Sequence, residues 1–175
     1  MPRLSAGLLL YRRRGEELEV LLAHMGGPLW RNRDARAWSL PKGEYEAGED
    51  PLTAARREFA EELGSPPPQG PAIDIGEVRQ SSGKLVQAWA IEGDLDASAI
   101  RSNSFQLEWP RGSGSVRSYP EVDRAAWFDL PTAGEKLVRA QMEFLDRLRE
   151  RLGLARGGAP CDARWSSVAS AVSPS

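Results

Sequence analysis

Between Asp50 and Gly64 this chain has room for one helix and its two ends. Asp50 followed by Pro51 reads as an N-cap and a first helical residue. Gly64, with Pro66, Pro67 and Pro68 close behind, bars continuation. Inside those limits Leu52, Ala55, Phe59 and Leu63 recur at the spacing of a helix laid on a sheet. A thirteen-residue helix with one apolar stripe must find strands to cover, so the flanking segments decide the fold class.

Those segments read as strands. Residues 3–11 and 18–25 are apolar runs joined by RRRGEE, a hairpin with Gly15 at its turn and the arginines solvated. Residues 26–37, rich in glycine and arginine, form a loop, and Trp38–Leu40 is a short apolar piece entering the helix region. Residues 72–80 and 84–93 make a second hairpin, 94–103 a loop, 104–109 a short strand, 110–123 a long loop and 125–130 a strand. From Pro131, the residues Leu137, Gln141, Phe144, Leu145, Leu148 and Leu152 fall on one face, which predicts a single closing amphipathic helix. A domain over residues 1–152 with a flexible tail at 153–175 is expected.

Composition narrows the partners. A formal net charge of −2 gives no bulk attraction to nucleic acid or to an acidic membrane, so a polyanionic ligand must be held locally. The lone Cys161 rules out an internal disulfide framework and suits a reducing compartment. The apolar run 4–10 precedes its arginines, the wrong order for a secretory signal, and a cytoplasmic protein is expected. No stretch is long enough to span a membrane. Oligomeric state is left open, as monomer or homodimer.

The chemistry lies in the helix. Glu58, Glu61 and Glu62 fall within roughly 100° of helix arc, and the i, i+4 pair has Cβ atoms about 6 Å apart. Clustered carboxylates that are not fully solvated call for a cation, and all-oxygen ligands select magnesium or manganese. A solvated acidic face is the alternative for a generic Glu-Glu pair. Here the acidic arc adjoins the apolar stripe, which places part of it near the sheet.

The stretch from Gly43 to Gly64 resembles the Nudix box at Gly43, Glu49, Arg57, Glu58, Phe59, Glu61, Glu62 and Gly64. Chance agreement at the seven fixed positions is on the order of one in a million. Phe59 stands where the family usually has an aliphatic residue, and Ser65 where an apolar residue commonly follows. The resemblance extends over roughly residues 3–151 and implies a Nudix-type α/β/α sandwich, an α/β (α+β) fold with a mixed β-sheet between helices. It further implies hydrolysis of a nucleoside diphosphate linked to another group, by metal-assisted attack of water on phosphorus. Glu58, Glu61 and Glu62, with the Gly43 carbonyl, are then the expected ligands of Mg2+ or Mn2+. Glu49 and Arg57 would pair to fix the loop on the helix, Glu58 is a candidate proton acceptor, and Glu121 the glutamate recruited from outside the box.

Substrate contacts are less defined. Lys42, Arg31, Arg33 and Arg117 are candidate phosphate ligands, with Arg111 beside them, and Trp38 is a candidate base-stacking residue, as are Trp30 and Trp89, with core or loop packing the favoured reading for each tryptophan. Glu108 is a second choice for the recruited glutamate. His24, the only histidine, reads as a strand-end residue. The proline of the ADP-ribose group and the tyrosine of the dinucleoside-polyphosphate group are both missing where Arg79–Ser81 stand, so the substrate stays open among nucleoside triphosphate, dinucleoside polyphosphate and nucleotide sugar. A nucleotide-sensing module that has lost catalysis is the alternative from another class. The complete set of charged box residues weighs against it, and a generic α/β domain with a fortuitous acidic helix is weaker still.

Overall fold

The computed structural model describes residues 3–154. The expected tail from 155 onward, with Cys161, lies outside the described residues. The first two strands, β1 (Leu4–Arg14) and β2 (Glu17–Met25), form the expected hairpin, but only partly. They pair from Tyr11 to Arg14 against Glu17 to Val20 and then splay apart. Into the fork go β3 (Trp38–Ser39), bonded to Ala23 and His24 of β2, and β4 (Lys42–Glu44), bonded to Ser5–Gly7 of β1. Gly7 permits this wedge, since a Cβ there would stand 2.8 Å from the Pro41 carbonyl oxygen. The wedge carries Gly43 onto the sheet.

Helix α1 spans Pro51–Leu63, within the limits the sequence sets. The Asp50 carboxylate accepts from the Thr53 amide at 2.8 Å, and Gly64 closes the helix at φ 71°. Strands β5 (Ile73–Arg79) and β6 (Leu85–Glu92) form the second hairpin. Because β6 runs parallel to β1 from Leu4 to Tyr11, the sheet is mixed. With β9 (Val122–Asp129) against β2, it has seven strands. Strand alternation sorts two cores. Ala6, Leu8 and Leu10 pack under Ala55, Phe59 and Leu63 of α1 on one face, while Leu9 and Tyr11 face the opposite layer with Phe144, Leu145 and Leu148. The result is the α/β/α sandwich expected from the resemblance.

Two expectations are corrected. The segment 110–123 is not all loop: β8 (Val116–Pro120) pairs with β7 (Ser104–Glu108) in a separate two-stranded sheet. Its alternation is weak because this hairpin stands off the main core, with Val116 62% exposed. The single closing helix is broken into α2 (Leu130–Lys136), a one-turn 3-10 segment at Arg139–Gln141, and α3 (Met142–Arg151). Tertiary bonding wins over helical periodicity there. The Val138 amide donates to the Trp38 carbonyl at 2.9 Å, pulling the chain out of helix just where Leu137 bridges Trp38.

The break also delivers Gln141 to the wedge. Fully buried, it accepts from the Leu40 amide at 3.0 Å and donates to Ser39 Oγ at 3.0 Å. Gln141→Ala strands the buried Leu40 N–H, and a loss of about 2 kcal/mol in denaturant unfolding is expected. No helix among the described residues is long and apolar enough to cross a membrane.

Candidate active site

The box residues are brought together by the wedge on one side and α1 on the other. Arg57 grips Glu49 with two nitrogens, Nε to Oε1 at 3.2 Å and Nη2 to Oε2 at 3.3 Å. Its Nη1 donates to Glu58 at 2.5 Å and reaches Glu61 at 3.5 Å, while Nη2 also meets the Glu44 carbonyl at 3.4 Å. One guanidinium thus ties the loop before the helix to the acids on it. Its own pKa is raised, first by the Glu49 bonds.

Glu58 lies against the wedge. A Cβ added at Gly43 would meet Glu58 Oε2 at 1.8 Å, so glycine is what lets the carboxylate approach the strand. The Gly43 carbonyl accepts from Ser5 Oγ at 2.7 Å. Glu62 is turned further inward and accepts from the Lys42 amide at 3.1 Å. Burial pushes its carboxyl up to about 7, with Lys42 lowering it and Glu121 and Glu58 raising it again. Glu58 is also raised, chiefly by burial, against the pull of Arg57; Glu61 and Glu121 add to the rise. The Lys42 amine is shifted down by its own burial despite its acidic neighbours.

Glu121 reaches this cluster through a relay of main-chain bonds. The Asn103 amide donates to the Glu61 carbonyl at 3.3 Å, the Glu121 amide to the Asn103 carbonyl at 2.8 Å, and the Gly26 amide to the Glu121 carbonyl at 2.8 Å. A bulge in the β2–β9 pairing after His24 sets this register. Sequence reasoning named Glu121 but could not see the relay, which has no side-chain signature.

Other candidates are redistributed. Trp38 is 3% exposed, edge-on to His24 and Phe128 in the core, and its indole donates to Asp34 at 3.0 Å; it cannot stack a substrate base. His24 is fully buried, bonded through Nδ1 to Asp123 at 2.7 Å and through Nε2 to the Arg33 carbonyl at 2.6 Å. Arg33 itself lies over the Trp30 ring at 5.5 Å. Glu108 accepts from the Gly114 amide at 2.6 Å and closes the β7–β8 turn, away from α1. Trp89 is buried beneath α1. A cavity of about 440 Å³, which the sequence did not foretell, is lined by Met25, Trp30, Ser39, Lys42, Val138 and Arg139 among others.

As the side chains lie, no three acids or histidines among the described residues close on a common metal point. The donor set nonetheless fits a hard divalent cation. Three helix carboxylates and Glu121 crowd one another, two of them desolvated and driven toward protonation, with Arg57 and Lys42 offsetting them in part. A mixed sheet with a helix of such carboxylates across one face makes this an α+β domain.

Relatives agree with that class. The NUDIX domain model matches residues 1–148. Among curated proteins, an octanoyltransferase of Myxococcus xanthus is 32% identical over 138 residues, covering 78% of this chain and 33% of its own length. An RNA pyrophosphohydrolase of Rhodospirillum rubrum is 42% identical over 67 residues, covering 37% of this chain and 39% of its own. The chain thus spans 33% of the first relative's length and 39% of the second's. Among solved structures, an Ap4A hydrolase of C. elegans in a binary complex superposes with TM-score 0.61 at 22% identity, over 85% of this chain and 98% of that one. The chain belongs to the NUDIX domain family.

Proposed function

We propose that this chain hydrolyses a pyrophosphate bond in a nucleoside diphosphate linked to a further group. The observation that carries the reading is the desolvated acid pair Glu58 and Glu62, held beside Gly43 with Glu121 close by. Desolvated carboxylates that crowd one another, with more acid than Arg57 and Lys42 balance, are suited to a divalent ion. Glu58, Glu61, Glu62 and the Gly43 carbonyl would hold Mg2+ or Mn2+, which would neutralise phosphate oxygens and make a water more acidic.

This chain's own groups do the rest. Water oxygen forms a bond to phosphorus, the bond from that phosphorus to the bridging oxygen breaks, and the leaving phosphate keeps the electron pair. The water proton passes to a carboxylate, for which Glu58 and Glu121 are the candidates. Arg57 and Glu49 hold the loop against α1 so that the acids keep their spacing. Lys42 sits between the acids and the cavity of Trp30 and Met25, where it would meet a phosphate while the cavity takes the nucleoside.

The test is a panel of nucleoside triphosphates, dinucleoside polyphosphates, ADP-ribose and nucleotide sugars with magnesium or manganese in oxygen-labelled water. Cleavage at an anhydride with label in one phosphate product is expected. Tight binding without cleavage across the panel would transfer support to a nucleotide-sensing role.

A further inference from the structure

The only histidine of the chain, His24, lies fully buried on β2 between two segments that the proposed chemistry needs, the 26–37 loop and the stretch just before β9 that carries Glu121. We infer that it is a positioning residue with two separable arms. Its Nε2 sets the loop wall of the nucleoside cavity and its Nδ1 latches the bulge that delivers Glu121 to the acids, the roles of that cavity and of Glu121 being taken from the hydrolase reading above.

The loop arm is a run of contacts from the ring to the cavity. The Arg33 carbonyl can only accept, so His24 Nε2 carries the hydrogen of their 2.6 Å bond. The Arg33 amide in turn donates to the Trp30 carbonyl at 2.8 Å, and the Arg33 guanidinium lies over the Trp30 ring at 5.5 Å. Trp30 lines the cavity beside Lys42. Because the ring is fully buried, water does not replace the bond to Arg33 when it is lost.

The latch arm works through strand register. Along β9, Ala125 and Trp127 pack on the α1 side of the sheet, and Ala126 and Phe128 on the other. Strict alternation would send Val122 to the far side with Ala126, yet Val122 packs in the core under α1. The bulge makes the difference. His24 stands opposite Arg124 and Met25 opposite Val122, which leaves Asp123 without a register partner on β2. Its carboxyl bonds instead to His24 Nδ1 at 2.7 Å. Glu121 then meets Gly26, whose amide donates to its carbonyl at 2.8 Å, and it comes close enough to raise the carboxyls of Glu58 and Glu62. Without the bulge, Glu121 would meet the chain one residue further on and turn its side chain over.

Two amide substitutions take the arms apart. His24→Asn places a nitrogen near the Nδ1 position and is too short for Arg33, while His24→Gln reaches Arg33 and offers nothing to Asp123. With the best substrate of the panel, His24→Asn should raise KM about tenfold and lower kcat less than about threefold. The Kd of a methylene-bridged, uncleavable nucleoside triphosphate with magnesium should rise with that KM. His24→Gln should do the reverse, lowering kcat about tenfold and holding KM and this Kd within about threefold. Asp123→Ala, whose side chain is 24% exposed, should repeat the His24→Gln pattern, and it keeps the latch testable if the buried substitutions do not fold. In a Glu121→Gln background, His24→Gln should lower kcat by less than about a further twofold, because the latch acts through Glu121. A merely structural role gives a different result, a smaller active fraction that cuts kcat alike in both His24 variants, leaves KM alone and adds in full to Glu121→Gln. That result, losses in the same parameter for both variants, no change in either, or no binding of the probe to wild type would overturn the inference. If wild type binds the probe and yet no anhydride in the panel is cleaved, the hydrolase reading fails, while the Kd of His24→Asn against that of His24→Gln still decides the loop arm.

Discussion

Glu62→Gln is expected to lower kcat about a thousandfold while raising the stability of the metal-free protein above pH 7. Both effects come from one fact, the burial that pushes this carboxyl up to about 7. In the unfolded chain a glutamate ionises near 4.3, so between there and about 7 the folded state holds a proton that the unfolded state has released. Stability therefore falls as pH rises through that window and stays low above it. At pH 8 the penalty is on the order of 3 kcal/mol for a group this buried. Glutamine keeps the oxygen that accepts from the Lys42 amide and loses only the charge. Thermal unfolding across pH 4 to 9 should show the wild-type decline and a flatter curve in the variant. Manganese should restore the wild type at pH 8 and leave Glu62→Gln unmoved. Unchanged turnover in the variant would remove Glu62 from the metal face.

What could be read from the sequence was what local chemistry fixes. The ends of α1 were legible because Asp50 caps it through its own side chain and Gly64 takes a left-handed conformation that glycine adopts freely. The partition of α1 into an apolar stripe and an adjoining acidic arc was legible from the helical period, while which acid turns inward, Glu62, was not. The wedge was not legible. β3 and β4 are two and three residues long, and they fill the gap where β1 before Tyr11 and β2 after Val20 have separated. For Trp38 the sequence left base stacking and core packing open, with core packing the heavier reading. Its neighbours His24 and Phe128 arrive from other strands, and burial among them decides for the core. The break at Leu137 to Val138 had no proline or glycine to announce it, since the bond that opens the helix runs to the wedge. Each failure was a contact of long sequence separation, and the cavity beside Lys42 is built from such contacts.

The wedge also yields the most selective variant. Gly43→Ala should reduce kcat about a hundredfold with a stability change below about 1 kcal/mol. The added methyl would coincide with the Glu58 carboxylate, whose Oε2 stands 1.8 Å and Cδ 1.9 Å from the ideal Cβ position. Something must move, and the strand is the costlier choice, since Gly43 is paired with Ala6 and its carbonyl is held by Ser5. The free end of Glu58 moves instead, swinging out from the position where it faces Glu62 and Glu121. Gly43 has no positive φ, so the loss cannot be put down to backbone strain. A double-mutant cycle separates displacement from general damage. Glu58→Asp shortens the side chain and vacates the contested space, so adding Gly43→Ala to it should cost far less than adding it to wild type. Strict additivity of the two losses, with both variants folded, would show that the methyl acts on something other than Glu58.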